Sequence, residues 1–315
     1  MQKTILMLDD KLADYHFGES HPFGPKRYWA FKEEFERRNM SDKSDKLQLS
    51  SAKQATEEEL RLFHTAEYIN KVKTLSITGE GYLDGGDTPA RKGIYQAASY
   101  MVGTTIKAVD HIMQGDCQHA FSPIAGLHHA TRSSAAGFCV FNDCGVAIEY
   151  LREKYGIKRI AYVDIDAHHG DGVFYSFEDD KDLIFIDMHQ DGNTLYPGTG
   201  AITETGKGDA KGTKLNIPLQ PDCTDEIALK MWQVAEHFLD KSKPEFILLQ
   251  CGADSLQGDP ITQLKLSSAF HGHIAKRLSA LADKLSEGRL LAMGGGGYNL
   301  ENIKMAWNDV LENLL

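Results

Sequence analysis

Apolar residues fall along this chain in two recurring patterns. Short runs at Thr4–Leu8, Gln118–Pro123, Leu183–Met188, Lys214–Pro218, Glu245–Gln250 and Arg289–Met293 read as strands. Longer segments at Lys26–Arg38, Glu57–Leu62, Thr65–Val72, Gly93–Met113, Cys144–Tyr155, Thr224–Leu239 (Thr224 as N-cap), 262–285 and Asn299–Leu314 read as helices. His21-Pro22-Phe23-Gly24-Pro25 breaks the chain before the first helix, and Gly and Asp mark a loop over Thr78–Asp87. The segment Asp191–Lys211 is long for a structureless loop and is expected to be functional. Strand and helix alternate with no repeat and no shift in composition. The pattern predicts one α/β domain over residues 1–315, with a mostly parallel sheet covered by helices on both faces.

One further strand organises the rest. Ala161-Tyr162-Val163-Asp164-Ile165-Asp166-Ala167-His168-His169-Gly170-Asp171-Gly172 starts as a buried strand and runs into residues that no core holds unpaired. Side chains alternate along an extended chain, so Asp164, Asp166 and His168 are expected on one face. Two carboxylates and an imidazole placed that way can converge on one cation. A solvated loop is the plain alternative, and it suits a lone Asp-x-Asp better than this run behind an apolar strand. Other strands end alike, in Gly126-Leu127-His128-His129, His189-Gln190-Asp191, Cys251-Gly252-Ala253-Asp254 and Gly294-Gly295-Gly296-Gly297-Tyr298. Open parallel sheets carry their chemistry at the carboxyl ends of strands, so one site along one sheet edge is expected.

Composition narrows the function. The 315 residues are 42% hydrophobic and 25% charged, as in ordinary globular proteins. A net charge of −11 argues against broad nucleic-acid binding and suits a cationic substrate. The odd count of five cysteines, with no CxxC pair, fits reduced thiols in a cytoplasmic setting. No apolar run is long enough to span a membrane.

Asp166, His168 and Asp254 make three ligands that leave a coordination position open, as for catalytic zinc; the oxygen-rich set also suits Fe²⁺ or Mn²⁺. A water activated there would be a nucleophile at neutral pH. The tandem His128-His129 suits general acid/base work, with Asp164 and Asp171 as carboxylates to orient it. The glycines before Tyr298 allow close approach to something bulky; they lack the Lys-Ser/Thr of a phosphate loop. Tyr298 could then donate to a developing oxyanion. Arg27 stands in a first helical turn, where a cation is unfavourable to the dipole, which hints at a specific partner.

These residues resemble the histone deacetylase family, which includes bacterial acetoin-utilisation and acetylpolyamine amidohydrolase proteins. The resemblance runs through His21-Pro22, Pro25-Lys26-Arg27, Phe63-His64-Thr65, Gly126 to Ala130, Gly137-Phe138-Cys139, Asn142-Asp143, Asp164 to Gly172, Tyr196 to Gly200, Cys251 to Pro260 and Gly294 to Asn299. It implies the arginase–deacetylase fold, three layers around an eight-stranded parallel sheet. It implies zinc on Asp166, His168 and Asp254, with His129 as general base and acid and His128 as an electrostatic partner. Asp164 and Asp171 would orient that pair, and Tyr298 would polarise the acyl carbonyl. Gly137, Phe138, Tyr196, Ile261 and Gly296 would border the substrate, Asp87 would grip it at the rim, and Arg27 would line an inner cavity. Potassium would sit by Asp164, Asp166, His168, Asp187 and Met188, although many members carry Ser at the place of Asp187. Gly170 stands where binuclear relatives carry a carboxylate, so a second catalytic metal is not expected. The implied activity is removal of acetyl from the ε-amine of acetylated lysine. Acetylated polyamine is the alternative substrate, and a catalytically idle acyl-lysine binding module the alternative role. Ile261 follows Gly258-Asp259-Pro260 where polyamine-directed members place an acid, and the loops near Asp87 and Asn193 would decide the choice.

Overall fold

Parallel pairing joins all the strands of one sheet in the computed structural model, which describes residues 3–43 and 45–315. In chain order the elements are β1 (Thr4–Met7), α1 (Lys26–Arg37), α2 (Met40–Lys43), β2 (Leu47–Ser50), α3 (Glu57–Leu60), α4 (Ala66–Thr78), α5 (Ile94–Met113) and β3 (His119–Ser122). Next come α6 (Asp143–Tyr155), β4 (Ile160–Asp164), α7 (Asp171–Ser176), β5 (Leu183–Gln190) and β6 (Lys214–Leu219). The chain closes with α8 (Asp225–Ser242), β7 (Phe246–Gln250), α9 (Ser268–Leu285), β8 (Leu290–Met293) and α10 (Leu300–Leu314).

The eight strands lie in the order β2-β1-β3-β8-β7-β4-β5-β6. Residues of β3, β4, β5, β7 and β8 are buried throughout, as continuous apolar runs must be when helices cover both faces. Because β7 and β8 insert between β3 and β4, these four strands end side by side. Their carboxyl ends carry the tandem histidines, the Asp-rich run, Asp254 and the glycine run.

Four local expectations are corrected. β2 is missing from the strand runs because it pairs only with β1 at the sheet edge, and none of its side chains is fully buried. α4 continues past Val72 to Thr78, where Gly79 at φ +71° closes it. α9 starts at Ser268 rather than 262, because Lys265 and Leu266 bridge to Thr224 and Leu256 and keep that segment extended. Thr224 takes the N-cap place of α8 but makes no side-chain cap bond; the adjacent Asp225 carboxylate accepts from the Ser267 N–H at 2.8 Å instead.

Candidate active site

β4 ends at Asp164, so strand alternation does not place Asp166 and His168. Local hydrogen bonds do. Asp164 Oδ1 accepts from the Asp166 N–H at 3.0 Å, and Asp166 Oδ1 accepts from the His168 N–H at 3.0 Å. Asp254 arrives at the end of β7, where its Oδ1 accepts from the Ala167 N–H at 2.9 Å. One donor atom each from Asp166, His168 and Asp254 lies within 4.8 Å of the others, and all three residues are buried. The backbone is cut away to make room. A Cβ at Gly252 would lie 1.9 Å from Asp166 Oδ2, and one at Gly296 2.2 Å from Asp254 Oδ2. Burial and the Asp166 charge lift the Asp254 carboxyl to about 7, a demand that a cation relieves. The donor set fits a divalent metal.

Beside this triad stand the tandem histidines, each fixed by its own carboxylate. His128 Nδ1 lies 2.7 Å from Asp164 Oδ2, and His129 Nδ1 lies 2.6 Å from Asp171 Oδ1. A carboxylate accepts only, so both Nδ1 atoms carry protons and both Nε2 atoms are left for chemistry, 3.1 Å apart. Burial opposes charge on His128, but Asp164 and Asp166 outweigh it and raise the group to about 10. His129 is lowered, by burial first and by the His128 charge next. One imidazole is thus set to be cationic and the other neutral. Asp171 opens α7, which the sequence pattern does not show.

Tyr298 follows the glycine run and is held by its backbone, its N–H donating to Asp259 Oδ2 at 2.8 Å. Burial and Asp254 raise its phenol, so it remains a donor at neutral pH. Arg27 finds its partner behind that loop. Its guanidinium donates to the Gly297 and Gly295 carbonyls at 2.7 and 2.6 Å and lies 3.8 Å from the Phe23 ring centroid. Arg27 is 1% exposed, and its Nη1 has no hydrogen-bond partner among the described residues. Arg27, Tyr298 and Ile261 share a cavity of about 300 Å³. Phe138 packs on Tyr298 with ring centroids 5.8 Å apart, and Tyr196 on His129 at 5.3 Å. Gly137 lies against His129. Asp87 is exposed on its loop, where Thr88 donates to it at 3.0 Å. Asp187 and Met188 lie in β5. Asp187 pairs in register with Asp164, and its carboxylate is engaged by His189 Nδ1 at 2.7 Å and the Gly170 N–H at 2.8 Å.

Sequence reasoning missed several supports. Gln250, last in β7, donates to Asp166 Oδ2 at 2.8 Å and accepts from the Gly252 N–H at 2.8 Å. A polar residue closing the apolar run Phe246–Leu249 was the available signal. Asn142 caps α6 through the Gly145 N–H and donates to the His128 and Ala130 carbonyls at 3.2 and 2.8 Å. Asp143 accepts from the Gly126 and Leu127 N–H groups at 3.0 and 2.7 Å. The first turn of α6 therefore fixes the loop bearing both histidines.

A buried Asp–His–Asp triad beside an oriented imidazole pair, at the carboxyl ends of a parallel sheet, defines a metal-dependent α/β hydrolase. The chain matches the histone deacetylase domain over residues 21–314 and belongs to that family, with its arginase–deacetylase fold and deacetylase activity. It is 36% identical to acetoin utilization protein AcuC of Bacillus subtilis (strain 168), over 98% of this chain and 81% of that one. With AcuC of Staphylococcus aureus (strain MRSA252) it shares 32% identity over 100% of this chain and 82% of the relative. The crystal structure of the HDA15 HD domain superposes with a TM-score of 0.91 at 28% identity, covering 99% of this chain and 89% of that one. Among the described residues no helix is long and apolar enough to cross a membrane.

Proposed function

We propose that this deacetylase is zinc-dependent and removes acetyl groups from the ε-amine of acetylated lysine in proteins or peptides. The observation that carries this is the pairing of the tandem histidines, each on its own carboxylate, beside the buried triad. Asp166, His168 and Asp254 would hold the metal, with Fe²⁺ or Mn²⁺ able to replace zinc in this donor set. When bound, the metal supplies Lewis acidity toward the attacking water and the acyl oxygen.

The remaining steps belong to side chains. His129, neutral and held through Nδ1–H by Asp171, takes the water proton at Nε2. A C–O bond forms as the acyl oxygen becomes an oxyanion, to which the Tyr298 hydroxyl donates. His128, kept cationic by Asp164, stabilises the developing negative charge. Collapse of the intermediate breaks the C–N bond, and His129 returns its proton to the leaving amine. Arg27, with one guanidinium nitrogen free, would receive the acetate in the inner cavity. Phe138, Tyr196, Gly137 and Gly296 would line the acyl-lysine channel, and Asp87 would bind the substrate at the rim. Potassium beside Asp164, Asp166, His168, Asp187 and Met188 would stiffen the base of the site. The five buried free cysteines support a cytoplasmic setting, and the net charge of −11 supports a substrate other than nucleic acid.

Acetylated polyamine is the second substrate to weigh, because it offers the same N-acetyl-aminoalkyl arm. Ile261, apolar and 36% exposed near Tyr298, gives no acid to grip a distal ammonium, which favours lysine. Acetate release from an acetyl-lysine peptide, N-acetylputrescine and N-acetylspermidine, run side by side, separates these. Faster turnover of the peptide is expected. Faster turnover of the polyamines overturns the lysine assignment, and no acetate from any of them points to a longer acyl group or to an idle binding module.

A further inference from the structure

The Phe138 backbone is in an uncommon state. Its φ is +65°, in the left-handed region that disfavours a side chain with a Cβ, and no glycine freedom relieves it. A residue stays there only where its surroundings over-determine it, and such residues gather at ligand clamps. Both backbone groups of Phe138 are clamped. Its N–H donates to Thr88 Oγ1 at 3.1 Å, and its carbonyl accepts from the Tyr15 hydroxyl at 2.7 Å. The same Tyr15 oxygen accepts from the Val140 N–H at 2.9 Å, so one phenol bridges both sides of the bend. Tyr15 is 1% exposed and Thr88 fully buried, so water does not compete for these bonds. Tyr15 lies ahead of the residues matched to the family domain, and neither residue touches the triad or the histidines.

We propose that Tyr15 and Thr88 are positioning residues that set substrate affinity by holding Phe138 in its left-handed conformation, its ring edge-on to Tyr298. This rests on the reading of Phe138 as a wall of the acyl-lysine channel. Without the clamp the bend relaxes toward ordinary φ values, and the Phe138 ring leaves the wall. The substrate arm then binds more weakly, while the proton-transfer groups stay in place.

Tyr15→Phe removes the clamp on the carbonyl, and Thr88→Val removes the clamp on the N–H together with the Thr88–Asp87 bond. Asp87→Ala is therefore measured beside Thr88→Val to separate the two, and a folding defect in one clamp variant leaves the other informative. Tyr15→Phe and Thr88→Val are each expected to raise KM for an acetyl-lysine peptide on the order of tenfold, the effect of losing a buried hydrogen bond, with kcat within about twofold. The decisive arm is the Phe138→Gly background, where glycine adopts φ +65° unaided and Tyr15→Phe should raise KM no further. Peptide affinity measured by calorimetry on the Tyr298→Phe protein follows the same clamp without requiring turnover. No peptide binding by that otherwise intact protein would refute the channel reading itself. Binding that is unchanged by Tyr15→Phe and Thr88→Val would refute the clamp alone. An equal Tyr15→Phe effect with Phe or Gly at position 138, or a fall in kcat at constant KM, would also overturn it.

Discussion

Gly137 should be a sensitive glycine of the site, because it supports the general base by contact. A Cβ built there lies 2.3 Å from His129 Cδ2 and 2.7 Å from Cγ, where carbon atoms need roughly 3.5 Å. In Gly137→Ala the imidazole or the loop must therefore move by about 1 Å. A shift of that size costs on the order of 100-fold in rate, equivalent to about 2.7 kcal/mol of barrier. Position 137 also has φ +52°, so alanine adds about 1–2 kcal/mol of backbone strain to the folded state. Gly156→Ala separates the two effects. It has φ +67° with no atom within 4 Å of the new Cβ, so it should lose similar stability and keep full turnover. Acetate release and urea unfolding on both variants make the comparison. Turnover of Gly137→Ala within threefold of Gly156→Ala would refute the contact argument.

Two other outcomes follow from buried polar groups. Gln250→Leu removes the amide that steadies Asp166 and should weaken metal affinity about 10–100-fold, read by competition with a chelating dye; unchanged affinity contradicts that role. His64 accepts the Asn142 N–H at 2.9 Å through Nε2, and burial lowers its folded pKa from 6.5 to about 3. The unfolded chain therefore binds that proton first, so the His64 contribution is complete above about pH 6.5 and is lost as pH falls toward 3. Between pH 7 and 5 the loss is about 2 kcal/mol. His64→Gln, which keeps an acceptor, should flatten the urea-unfolding stability over that window, and an unaltered slope would remove the assignment.

The legible parts of this protein are those written into contiguous chain. Seven strand runs, most helix positions, the polar residues after Val163 and Cys251 and the glycine run leading to Tyr298 were visible, because buried parallel strands are continuous apolar runs. β2 was not, since an edge strand with exposed Gln48 and Leu49 has no reason to be apolar. Asp166 and His168 were singled out through strand alternation, yet loop hydrogen bonds, not alternation, bring them together. The long-range supports escaped for another reason. Gln250 acts on Asp166 across 84 positions and Tyr15 on Phe138 across 123, and no local pattern encodes contacts of that reach.

The most direct test of the account removes and restores the metal. Acetate release from an acetyl-lysine peptide should stop on chelation and return with stoichiometric zinc, whereas Asp254→Asn should bind less zinc and stay inactive when it is added. Undiminished acetate release from chelated protein, or full activity in Asp254→Asn, would contradict the assignment of the Asp166–His168–Asp254 triad as the metal-holding centre of a deacetylase.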